Sequence, residues 1–143
     1  MKYKQTDLAW AAGIVDGEGY IGIVKLNSGL LNIRIQIEMK HKPTIKKLFS
    51  ILKAGHVKYN SHPNNKRNKW SDVNRLAINH TEAVKILKLL LPYMITKKQQ
   101  TILALKFEKD RDKQNNAKKL PQFIRIKRLK FYNQMKSLNK RGI

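Results

Sequence analysis

The chain has 143 residues, 41% of them apolar, which suits one compact domain with its own core spanning residues 1–143. Its 31 Lys and Arg against 9 Asp and Glu give a net charge of +22; so much charge disfavours the compact state unless a polyanion neutralises it, and nucleic acid fits better than a membrane because the basic residues are dispersed. Disulfides and thiolate zinc sites are excluded by the absence of cysteine, and neither a signal peptide nor an apolar run of about 20 residues is present, so the expectation is a soluble, intracellular protein with no membrane partner.

Thr6 or Asp7 is placed to cap a first helix running to about Asp16. Ala9, Ala12, Gly13 and Asp16 recur at i, i+3, i+4 and i+7, which predicts a shared face on which another helix backbone can come close. Gly17 and Gly19 offer the φ freedom to leave the helix sharply. Glu18 then stands at the helix C-terminus, where the macrodipole disfavours an unpaired carboxylate and a metal cation would reverse the penalty.

Residues 20–26 read as a strand and Asn27-Ser28-Gly29 as a turn. The clearest strand is 30–40: Leu31, Ile33, Ile35, Ile37 and Met39 alternate with Asn32, Arg34, Gln36, Glu38 and Lys40. A helix follows from about Pro43 until Gly55, then a strand over 56–61 with Val57 and Tyr59 inward. A polar turn over 62–69 leads to a strand over 70–78. Thr81 is placed to cap a helix through Leu91, interrupted by Pro92; another helix spans about 96–109. Residues 110–119 read as a linker, and Pro121 opens a last helix to about Leu138. The order αββαββα with extra C-terminal helices predicts an α+β fold: helices on one face of a four-stranded antiparallel sheet, with a core over about 7–109 and a helical extension over about 114–143.

The polar strand faces are assigned Lys25, Arg34, Gln36, Glu38, Lys40, His56, Lys58, Asn60 and Arg75, among which only Glu38 is acidic. Arg can read guanine and Gln adenine in the major groove, both with bidentate geometry. A strand over 30–40 is about 36 Å long at roughly 3.3 Å per residue, enough to track about ten base pairs. The four histidines lack metal-ligand spacing.

The run Ala11-Ala12-Gly13-Ile14-Val15-Asp16-Gly17-Glu18-Gly19 resembles the signature of the LAGLIDADG homing endonucleases, with Glu18 where the family name spells Asp and Ala11 where it spells Leu. A second resemblance lies in Leu91-Pro92-Tyr93 followed by Lys97, Lys98, Gln99 and Gln100, and a third in the ending 136–142. The resemblance implies a four-stranded saddle sheet on duplex DNA and a motif helix that pairs with a second copy. With one motif in the chain, that implies a homodimer through Ala9, Ala12, Gly13 and Asp16. It further implies that Glu18, with the Gly17 carbonyl, holds divalent metal, Mg²⁺ or another such as Mn²⁺. Lys97 is the matching active-site lysine, with Lys98 as the alternative. Around Met39 and Lys40, where a polar active-site residue often stands in the family, this chain departs from the pattern. The implied activity is site-specific double-strand hydrolysis of DNA at a long near-palindromic site, across the minor groove and with 3′ overhangs. An RNA-binding intron maturase, or a non-catalytic DNA-binding regulator, would keep the charge and the sheet without needing Glu18.

Overall fold

The computed structural model describes residues 2–61, 73–112 and 121–140. The polar turn at 62–69, the first three residues of the strand expected at 70–78, most of the 110–119 linker and residues 141–143 lie outside the described residues, as does the side chain of Asn60. The elements are α1 (Gln5–Glu18), β1 (Gly19–Lys25), β2 (Leu31–Met39), α2 (Lys42–Leu52), β3 (His56–Ser61), β4 (Val73–Asn79), α3 (His80–Leu90), a 3₁₀ turn (Leu91–Tyr93), α4 (Lys98–Asp112) and α5 (Gln122–Asn139). None of these helices is long and apolar enough to cross a membrane.

The strands form one antiparallel sheet in the order β1-β2-β4-β3, so β1 and β3 are its edges. Period-two alternation sets which face is buried. Ile21 and Ile23, Ile33, Ile35 and Ile37, and Leu76 and Ile78 all turn to one side and are buried. Ala11, Ala12 and Val15 of α1, Leu48 of α2, Leu87 of α3 and Phe107 of α4 complete that core. The expected α+β arrangement is therefore the observed one.

Several local expectations are corrected. The first helix starts at Gln5, with Lys4 as its N-cap and no side-chain cap bond, because the Lys4 carbonyl already accepts the Leu8 N–H. Nor does Thr81 cap α3: Asn79 occupies that position, so β4 runs into the helix without a loop. Residues 110–112 continue α4 rather than opening a linker. Gly19 has φ −91°, so it is not needed for a left-handed bend. It is needed for space, because a Cβ there would lie 2.7 Å from the Val15 carbonyl oxygen of the last helical turn.

Two polar attachments hold the helical layer. At the C-terminal end of α4, His80 Nδ1 accepts the Ile33 N–H (3.2 Å) while Nε2 lies 2.7 Å from Glu108 Oε2 and Arg111 stands against the ring. Burial, and then the Arg111 guanidinium, push the His80 pKa below its ordinary value, with Glu108 opposing them. At the end of α5, Asn139 Nδ2 donates to the Ile21 carbonyl of β1 at 2.9 Å.

Candidate active site and nucleic-acid interface

The end of α1 is the most tightly specified polar region. Both Asp16 oxygens are engaged by backbone across the chain: Oδ2 accepts the Ile95 N–H at 2.8 Å and Oδ1 the Lys97 N–H at 2.9 Å. Lys97 returns the contact, its buried ammonium donating to the Asp16 carbonyl. That places a cation at the negative end of a helix, the arrangement the macrodipole favours. Thr101 Oγ1 then donates to the Lys97 carbonyl at 2.9 Å inside the first turn of α4. Two residues beyond Asp16, Glu18 closes α1 with its side chain exposed. The structure thus brings Lys97 to the end of the motif helix, whereas Lys98 is exposed at the start of α4.

The face assigned to Ala9, Ala12, Gly13 and Asp16 is not a single free face. Leu8, Ala11, Ala12 and Val15 form the buried stripe of α1, so Ala12 belongs to this chain's own core. The carboxylate of Asp16 is committed to residues 95–97. What remains exposed is Ala9, Gly13 and Gly17, at i, i+4 and i+8. A Cβ added at Gly13 or Gly17 would meet nothing within 4 Å.

On the sheet face away from the helices lie Arg34, Gln36 and Glu38 of β2, Arg75 of β4, and His56 and Lys58 of β3, the last two beside Ala77 and Arg75. Glu38 Oε1 accepts from Gln36 Nε2 at 2.9 Å and from Arg75 Nε at 2.6 Å, and Arg34 Nε donates to Asn79 Oδ1 at 3.0 Å. These side chains are therefore cross-braced rather than loose. Lys40 follows the end of β2 and is exposed. Lys25 is a correction: it shares the parity of Ile21 and Ile23, so it points to the helical side, and its ammonium sits 5.3 Å from the Tyr132 ring of α5.

Two residues escaped the sequence reading. Tyr20 lies on the open face beside Gln36; burial and then Tyr132 raise its pKa, while Arg34 pulls the other way. Asn74 is buried, and its Nδ2 donates to the carbonyls of Met39 (3.2 Å) and Lys40 (3.0 Å), fixing the end of β2. The available signal was a polar residue at an inward position of β4, in phase with Leu76 and Ile78. Gln99 is exposed, and Gln100 faces the end of α5, 3.5 Å from the Leu138 carbonyl.

Against solved structures, the chain aligns over 95% of its length with 83% of the homing endonuclease I-CvuI bound to DNA, at a TM-score of 0.73 and 22% identity. It aligns over 96% of its length with 87% of the archaeal intron-encoded homing endonuclease I-Vdi141I in complex with DNA (TM-score 0.70, 13% identity). The LAGLIDADG homing endonuclease I-GzeII, also bound to DNA, matches over 98% of this chain but only 47% of its own (TM-score 0.71, 18% identity). The chain has the LAGLIDADG homing endonuclease fold. No family model matches the sequence. In the LAGLIDADG fold of this chain, the motif run Ala11–Gly19 forms the second half of α1 and the turn into β1, where Asp16 and Lys97 meet and Glu18 is exposed.

Proposed function

We propose that the protein is a divalent-metal-dependent, site-specific endonuclease that cuts both strands of duplex DNA as a homodimer. The observation that carries this reading is the end of α1: an exposed Glu18 two residues from a backbone carbonyl that holds the Lys97 ammonium. The DNA complexes of I-CvuI and I-Vdi141I, which share the fold, support the same substrate class.

Glu18 supplies a hard carboxylate oxygen and the Gly17 carbonyl can supply another. Among the described residues no group of three or more His, Asp or Glu side chains converges. The donor set fits Mg²⁺, which commonly takes one or two carboxylates and fills its shell with water and substrate phosphate. A bound divalent ion would supply Lewis-acid stabilisation and a more acidic water. The chain's own part is positional. Glu18 directs its charge out of the helix end, while Lys97, fixed by Asp16, offers a stationary positive charge to the developing oxyanion. Cross-braced Arg34, Gln36, Glu38 and Arg75 present hydrogen-bonding groups in defined positions to base edges.

A second copy is the partner that suits the exposed line of Ala9, Gly13 and Gly17, since glycine and alanine let two helix backbones approach and each copy would bring its own Glu18. The test uses purified protein, Mg²⁺ and a plasmid library of near-palindromic sites. Wild type is expected to linearise its target and to sediment as a dimer. Glu18→Gln is expected to bind that target and leave it intact. Cleavage of both strands by Glu18→Gln at the wild-type rate would overturn the assignment.

A further inference from the structure

Both outer edges of the sheet carry the same unusual arrangement. At the β1 edge, Lys25 and Lys136 stand 5.3 and 5.5 Å from the centre of the Tyr132 ring. At the β3 edge, Lys42 and Lys46 stand 4.8 and 5.7 Å from the centre of the Tyr59 ring. Each tyrosine thus gathers two ammonium groups. A cation over a ring is favourable, but two like charges drawn to one ring repel each other. No acidic residue occurs in β1, α2, β3 or α5 to offset them. An anion seated between the two ammonium groups would.

The positions of the pairs match the spacing of a duplex. Three inter-strand gaps of about 4.8 Å make the sheet roughly 14 Å wide, close to the ~12 Å width of the B-DNA major groove. A sheet that fills the groove with its open face has its edges beside the two phosphate walls. Lys25 is the last residue of β1, and Lys25 and Lys136 are both exposed with Tyr132 half-buried between them, so this pair sits at the rim of the helical layer and within reach of solvent.

We infer that the Lys25–Tyr132–Lys136 and Lys42–Tyr59–Lys46 clusters are twin phosphate clamps, one at each sheet edge, that grip the two backbones of duplex DNA. This rests on the DNA reading above and assigns Lys25 a rim contact in place of base readout. The clamps carry no sequence information; they set how deeply the sheet sits.

The test is salt-dependent binding to a mixed-sequence duplex in full-length protein. Each neutralised phosphate contributes about −0.9 to the slope of log K against log salt. Lys25→Gln with Lys136→Gln, and separately Lys42→Gln with Lys46→Gln, are each expected to flatten the slope by about 0.9, one phosphate per clamp, with thermal unfolding confirming folded variants. Lys85→Gln with Lys88→Gln, on the exposed side of α3, is the control and is expected to leave the slope unchanged. A steep slope that both rim variants retain would overturn the clamps, and so would an equal loss in the α3 control, which would mean bulk charge alone. A flat slope in wild type would instead remove the DNA reading itself.

Discussion

At its N-terminal end α4 is fastened to the rest of the chain by charge against backbone: the Asp16 carboxylate takes two N–H groups and the Lys97 ammonium takes a helix carbonyl. At its C-terminal end it is fastened by an imidazole, His80, packed between the Ile33 N–H, Glu108 and Arg111. The first attachment leaves one acid, Glu18, outside the network and exposed; at the second, Glu108 is paired with His80 and Asp110 with Lys127. Under the nuclease reading, the contrast separates a junction built around a reactive position from one that only closes the helical layer.

The largest expected difference between the two ends is in activity. Under the nuclease reading, Lys97→Met slows cleavage by roughly 10²-fold, the scale of losing one fixed electrostatic group. Substituting Arg111, at the other end of α4, with Lys leaves the cleavage rate within about twofold of wild type once the fraction folded is matched. Single-turnover rates at saturating protein measure both. Equal losses at the two ends would erase the distinction.

Next in size is stability within the motif itself. Asp16→Ala removes a charged acceptor from two backbone amides, each bond of that type being worth about 1.5–3 kcal/mol. With partial exposure, a loss of about 2–3 kcal/mol is expected. Glu18→Ala should stay within about 0.5 kcal/mol of wild type, as exposed substitutions commonly do. Urea denaturation followed by far-UV circular dichroism compares them, and a fragile Glu18→Ala beside a robust Asp16→Ala would reverse the roles.

The smallest effect concerns pH. The folded-state pKa of His80 is depressed by burial and by Arg111, so the unfolded chain binds this proton first as pH falls. The stabilisation is intact above the ordinary histidine value near 6.5 and is lost as pH drops from there through the folded value. The urea midpoint should decline over that window in wild type and much less in His80→Gln. An unchanged decline in the variant would assign it to other groups.

What the sequence disclosed depended on contrast and range. In β2, apolar and polar residues alternate without exception over Leu31–Met39, and the fold around it was legible from that period. In α1 the residues are small or apolar on nearly every side, so the pattern did not disclose that Leu8, Ala11, Ala12 and Val15 form the stripe buried in this chain's own core, with Ala12 drawn from the face expected to meet a second helix. Lys25 was misread although its parity with Ile21 and Ile23 was visible in the residues. Counting from Pro92 singled out Lys97 among many lysines, and the structure places that residue at the end of the motif helix. The partners of Asp16 lie 79 and 81 residues away, and no local pattern encodes contacts of that span. The His80 attachment, assembled from three distant elements, was silent for the same reason.

The bond from Asn139 to Ile21 closes a strand whose cover arrives 118 residues later along the chain. At about 5–20 residues per second, a ribosome needs on the order of ten seconds to deliver it. Until then, the outer edge of Gly19–Lys25 offers unpaired backbone groups on a β-branched, glycine-bearing segment that can pair with another nascent chain. The yield of native protein should therefore depend on chaperone supply and growth temperature during synthesis, even for a molecule that is sturdy once α5 has docked.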